Sequence, residues 1–200
     1  MHGLVGKALE GFLLDRHGAA VRDAALEAAG VPDGFRSTRS YPGSVVAAVL
    51  REAALARGLP PRTLLIDLGI WLVSRPQTEP LRRLIRFGGA DFRGLLHSLE
   101  ELGARGRLAM PDLELPRVML EDRNPVYELR VSAELGGAGW VLTGLLRAMA
   151  DDYGVLALVE HGGRECRGGH VIEIVRVEVA DDAHAVARRF ELAPALQGAA

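Results

Sequence analysis

DFRGLLHSLEELGARGRLAMPDLELPRVMLEDRNPVYELRVSAEL, residues 91–135, changes texture part-way along and so decides the fold. Its front part sets Phe92, Leu95, Leu96, Leu99 and Leu102 at the three- and four-residue spacing of one helical stripe, and Gly103 marks the expected stop. From Met110 onward, prolines at 111, 116 and 125 space out short segments, RVMLE and VYELRVSAEL, whose alternating or β-branched residues read as strands. The stretch therefore predicts a helical half up to about residue 108 and strands after it.

The flanks agree. Val5, Leu9 and Phe12, then Val21, Ala24, Ala25 and Ala28 ahead of Gly30, recur at helical spacing and predict two short opening helices. Residues 31–41 read as loop, and Pro42 opens an alanine-rich third helix that ends at Gly58. LPPRTLLIDLGIWLV (59–73) starts behind a proline pair and reads as a strongly apolar fourth helix, and one short helix precedes the long one. Downstream, residues 140–153 return to helix. VLALVEH (155–161) and HVIEIVRVEV (170–179) then flank GGRECRGG (162–169) as a hairpin requires.

Strand, strand, helix, strand, strand implies antiparallel pairing, so the fold class is α+β: a helical amino-terminal half, then a helix packed with a small antiparallel sheet. No low-complexity linker and no repeat interrupts the chain. One domain is expected over 1–190, with a helical subdomain at about 1–60, an α/β remainder, and a loose tail at 191–200.

Composition narrows the function. The 200 residues are 48% apolar, enough to bury a core, and 24 basic against 26 acidic side chains give a net charge of −2. That balance, with 5% aromatic residues, disfavours a general binder of nucleic acid or of anionic membranes. Cys166 is the one cysteine, which excludes an internal disulfide framework and a four-cysteine zinc site and fits a reducing compartment. No apolar run has the length of a signal core or a membrane span, so a soluble cytoplasmic protein is expected.

Catalytic signatures are missing. The run Gly136-Gly137-Ala138-Gly139 lies between a strand and a helix but lacks the lysine of a P-loop, and Leu142 replaces the third glycine of a dinucleotide fingerprint. There is no Gly-x-Ser-x-Gly elbow and no His-Glu-x-x-His, so an enzyme is not expected. His161, Cys166 and His170 have one sharp reading, a zinc site converging at the hairpin tip. The plainer reading is an exposed turn with two surface histidines and a free thiol. His97 reads as a partly buried polar residue, with axial ligation of a metal as the alternative.

Five segments, taken in order, carry a family resemblance: MHGLVGKALEGFLLDRHG (1–18), SYP (40–42), GLPPRTLLIDLGIWLV (58–73), FRGLLHSLEELGARGRLAMPDLELP (92–116) and TGLLRAM (143–149). Together they resemble the heme nitric oxide/oxygen binding (H-NOX) family, gas-sensing modules related to the regulatory domain of soluble guanylate cyclase. The resemblance covers about residues 1–180 and implies the same order of helices and sheet.

It also implies a proximal histidine, the heme-iron ligand, about thirteen residues before a proline that bends the porphyrin. Pro116 matches that proline, and Gly103 stands at the ligand position. The family's Tyr-x-Ser-x-Arg motif, which holds the heme propionates, falls on Val131, Ala133 and Leu135. Starting it instead at Tyr127 puts Leu129 and Val131 in the serine and arginine places. An arginine facing two carboxylates is strong and geometrically specific, and a leucine there leaves them unpaired.

The distal pocket, by the same resemblance, falls on Val5, Leu9, Leu65, Leu72, Val141 and Leu145, all apolar. Ordinary core packing is the plainer role for these six. A void of heme size is costly, at about 24 cal/mol per Å³, so either side chains such as Trp71 or Trp140 fill it or an uncharged apolar ligand occupies it. The expectation is a degenerate H-NOX-like sensor or adaptor, with no cofactor. The alternative is a heme-based gas sensor with non-standard ligation. The family's stand-alone bacterial members contact separate kinases, cyclic-dinucleotide enzymes or chemotaxis proteins, so a separate signalling partner of that kind is implied.

Overall fold

The computed structural model describes residues 1–75, 79–86, 88–109, 112, 114–167 and 170–180. The expected tail at 191–200 and the glycine tip at 168–169 lie outside them. Four helices come first: α1 (Gly3–His17), α2 (Ala19–Ala28), α3 (Gly43–Arg57) and α4 (Pro61–Ser74). Each boundary has a local cause. His2 Nδ1 accepts the Leu4 N–H at the head of α1, Gly58 ends α3 at φ +63°, and a proline pair opens α4.

Next come α5 (Glu79–Arg86) and α6 (Phe92–Ser98), the latter capped by Asp91 Oδ1 on the Gly94 N–H at 2.7 Å. The predicted stop at Gly103 is not a stop. The helix tightens to a 3-10 turn at Leu99–Glu101 and continues as α7 (Leu102–Ala109) straight through Gly103. Then follow β1 (Arg117–Arg123), β2 (Val126–Ser132), α8 (Ala138–Tyr153), β3 (Ala157–Arg167) and β4 (His170–Val179). The strands form one antiparallel sheet in the order β1-β2-β4-β3.

Most of GGRECRGG, read as a turn, is strand. Cross-strand pairing continues to Arg167 opposite His170, and the extra residue is absorbed by a bulge between His161 and Gly163.

Two apolar clusters hold the molecule. The helical one gathers Leu9, Phe12, Leu13, Leu26, Phe35, Val49, Leu64 and Trp71. The second packs the stripe Phe92, Leu95, Leu96 and Leu99 and the inner face of α8 onto Leu129, Val131, Val175 and Val177 of the sheet. The two meet where α4 crosses α8 backbone to backbone. A methyl group at Gly69 would overlap the Val141 carbonyl, and one at Gly144 would overlap the Ile66 carbonyl, so both positions need glycine. Arg147 ties α8 to the outer strand by donating twice to the Val159 carbonyl, at 3.1 and 2.8 Å.

Candidate ligand pocket

Three helices present the six apolar pocket positions. Leu9 on α1 and Leu145 on α8 are buried, while Val5 on α1, Leu65 and Leu72 on α4, and Val141 on α8 are half-buried. Leu9, Leu72 and Val141 are brought together in the helical cluster beside Trp71. Leu145 belongs to the sheet cluster, on the other side of the α4–α8 crossing. Leu65 is spent on Gly137, where an added methyl group would strike its Cδ1 at 2.7 Å.

Gly103 sits at the start of α7, and the position of a side chain there is open. A Cβ would lie 3.7 Å from Arg107 Nη1 and 3.9 Å from the Pro116 carbonyl, ordinary van der Waals distances. The structure thus keeps Gly103 and Pro116 as neighbours, with room for a side chain that the sequence does not provide. The four histidines whose side chains are described are all engaged elsewhere. His2 caps α1, His17 stands edge-on to Phe12 at 5.3 Å, and His161 lies against Trp140 on the hairpin. His97 is half exposed and points its Nε2 at Asp122 Oδ2, 3.0 Å away at the end of β1.

The clamp positions are equally plain. Val131 is buried in the sheet core, Ala133 is exposed beyond the end of β2, and Leu135 packs with the helical cluster next to Gly43. Of the tryptophans, Trp71 does fill space between α1 and α4: it is edge-on to Phe12 at 6.2 Å, and its Nε1 donates to Asp15 Oδ2 at 2.8 Å. Trp140 turns instead to the hairpin, stacked on His161 at 3.8 Å with 7° between the rings. At the four positions where the resemblance expects an axial imidazole and a propionate clamp, the chain has glycine, valine, alanine and leucine, which supply neither.

The hairpin does not gather the three residues read as a zinc site. His161 pairs across with Val175, and Cys166 with Val171. Five residues of strand separate them, about 16 Å at about 3.3 Å per residue, far beyond a shared ion. Cys166 is exposed, and the side chain of His170 lies outside the described residues. Among the described residues no three His, Cys, Asp or Glu side chains are grouped to hold a metal.

Sequence reading missed two polar features. Glu173 is buried on the inner face of β4. Its Oε2 accepts the N–H groups of Gly137 and Gly139 at 2.8 and 2.9 Å, capping α8 from across the fold. The signal was available, since Glu173 stands two residues before the inward row Val175, Val177 and Val179, on the same side of the strand. On the outer face, Arg130 donates to Glu121, Glu128 and Glu165 at 2.9 to 3.1 Å. Arg130, Glu121 and Glu165 line a cleft of about 680 Å³ that also touches Met119, Ser132, Cys166 and Ile172. Hydrogen bonds from Arg130 and Arg123 hold the Glu121 carboxyl below its usual range, and Glu121 and Glu165 push the Arg130 guanidinium up.

The Haem-NO-binding (HNOB) family profile matches residues 2–155, most of the chain. The chain belongs to the HNOB family. Solved H-NOX structures share the fold. A Cs H-NOX mutant carrying 4-cyano-L-phenylalanine at site 5 superimposes with a TM-score of 0.76 at 16% identity, covering 94% of this chain and 100% of that one. An S. oneidensis H-NOX protein in the Fe(II) ligation state gives 0.75 at 18% identity, covering 92% and 99%. An oxygen-binding H-NOX domain related to soluble guanylate cyclases gives 0.71 at 16%, covering 96% and 100%. No curated protein matches the sequence. H-NOX domains are known as heme-based gas sensors, and at these identities the neighbours establish the fold alone.

Proposed function

We propose that this chain is a degenerate H-NOX sensor or adaptor domain that does not bind heme in the family's manner. It signals by contact with a separate protein, of the kinase, cyclic-dinucleotide enzyme or chemotaxis class, or through a small apolar ligand in the remnant pocket. The observation that carries this reading is Gly103, which faces the Pro116 carbonyl across the space of a missing side chain. Val131, Ala133 and Leu135 support it, because none can pair with a carboxylate.

A cytoplasmic setting fits the exposed, unpaired Cys166. No helix among the described residues is long and apolar enough to cross a membrane.

Native mass spectrometry of protein produced with heme precursor supplied tests the reading. The expected masses are those of the bare chain or of the chain plus a non-porphyrin apolar molecule. One equivalent of heme, lost on His97→Ala, would instead establish a heme sensor with unusual ligation.

A further inference from the structure

One buried polar group lies outside every role so far described. The His161 side chain is 6% exposed and that of Glu173 is 9% exposed, and the two face each other with Nε2 to Oε1 at 3.5 Å, longer than a full hydrogen bond. Among the described residues no other hydrogen-bond partner reaches that Nε2. On the opposite side of the ring, Nδ1 accepts the N–H of Gly163 at 3.2 Å. An accepting Nδ1 carries no hydrogen, which puts the ring hydrogen on Nε2, toward Glu173. Trp140, near the start of α8, covers the ring face to face.

The same carboxylate holds α8. Glu173 Oε2 takes the Gly137 and Gly139 amides, and Gly137, at φ +102°, has no side chain to cap the helix itself. The groups around the ring come from three elements. From β4 there is Glu173, from α8 the indole of Trp140 and the two amides, and Arg147 sits at the carbonyl of Val159 two residues away. From β3 itself there is Arg164, opposite Glu173 across the ladder.

We propose that His161, Glu173 and Trp140 form an acid-operated latch between the β3–β4 hairpin and the amino terminus of α8. Uptake of one proton at Nδ1 makes the ring a donor on both sides. The Gly163 N–H then loses its acceptor and the bulge at His161–Gly163 must turn. The imidazolium meanwhile draws Glu173 toward a closed ion pair and away from the Gly137 and Gly139 amides. Acid thus loosens the bulge and the helix start together. The start of α8 leads directly into Val141, Gly144 and Leu145, so the change reaches the crossing with α4. The latch does not depend on whether heme binds.

The chain has two tryptophans, so Trp71→Phe isolates the emission of Trp140. A stacked imidazolium quenches indole more strongly than neutral imidazole. Emission is therefore expected to fall along a one-proton curve as the solution is acidified. His161→Gln should abolish the curve, and Glu173→Gln should shift its midpoint to lower pH. A second measurement uses the unaltered chain. Its ring-nitrogen NMR shifts should report the Nε2–H tautomer at high pH, and the Gly163, Gly137 and Gly139 amides should move with the same midpoint. Flat emission with native circular dichroism, a curve that survives His161→Gln, or a ring that titrates without moving the three amides would overturn the proposal.

Discussion

Two glycines decide how the halves join. At Gly69 and Gly144 the backbones of α4 and α8 touch, and an added methyl group would overlap a carbonyl oxygen rather than a movable side chain. Gly144→Ala is therefore expected to destabilise by at least the overpacking cost of about 1–3 kcal/mol, measured as a lower urea midpoint, despite alanine's better helix propensity. Gly103→Ala should be far milder, since its Cβ meets nothing closer than 3.7 Å. His17, at the end of α1, gives a pH dependence. Burial first, then the Arg57 and Arg16 charges, push its imidazole below the ordinary value of 6.5, and Asp67 opposes them. As pH falls through 6.5 the unfolded chain takes up the proton before the folded one. This contribution to stability is full above 6.5 and is lost as pH drops toward the folded pKa. The melting temperature of His17→Gln should accordingly decline less steeply than that of the parent between about pH 7 and about pH 5.

Among the elements, the stripes were legible and the breaks were not. Phe92, Leu95, Leu96 and Leu99 announce a helix because their spacing alone puts them on one face, and all four are buried. The 3-10 turn that follows belongs to the tertiary structure. It leaves Leu99 in the core while Glu100 Oε1 accepts the Leu120 N–H of the edge strand β1 at 3.0 Å, a contact that local pattern cannot foretell. Gly103 was misread as a stop because glycine often ends helices, yet here it lies one residue inside α7. Residues 162–167 were misread as turn for a related reason. Glycine-rich sequence marks turns and bulges alike, and Gly162 and Gly163 serve the bulge. Glu100→Ala should speed hydrogen exchange at the Leu120 amide while the central strands β2 and β4 keep their protection, since Glu100 covers only the sheet edge.

Across the whole molecule, the α+β order and the family were readable from five ordered segments, and the profile match over residues 2–155 establishes membership. The thirteen-residue spacing of Gly103 and Pro116 came from the family resemblance, and the fold leaves 3.9 Å between a Cβ at Gly103 and the Pro116 carbonyl. What spacing could not supply was the direction of each side chain. It left open whether Trp140 filled the pocket, and only packing turned that ring onto His161. Nor could it supply the cluster each apolar position joins: Leu9, Leu72 and Val141 pack with the helical cluster and Leu145 with the sheet cluster. The central claim is that a heme site is missing its iron ligand. A hemin titration followed in the Soret region, run on the parent chain and on Gly103→His side by side, tests this most directly. No saturable Soret band is expected for the parent, and at least partial gain of one is expected when an imidazole is placed opposite Pro116. A parent that takes up one tight equivalent of hemin with a sharp Soret band would contradict it.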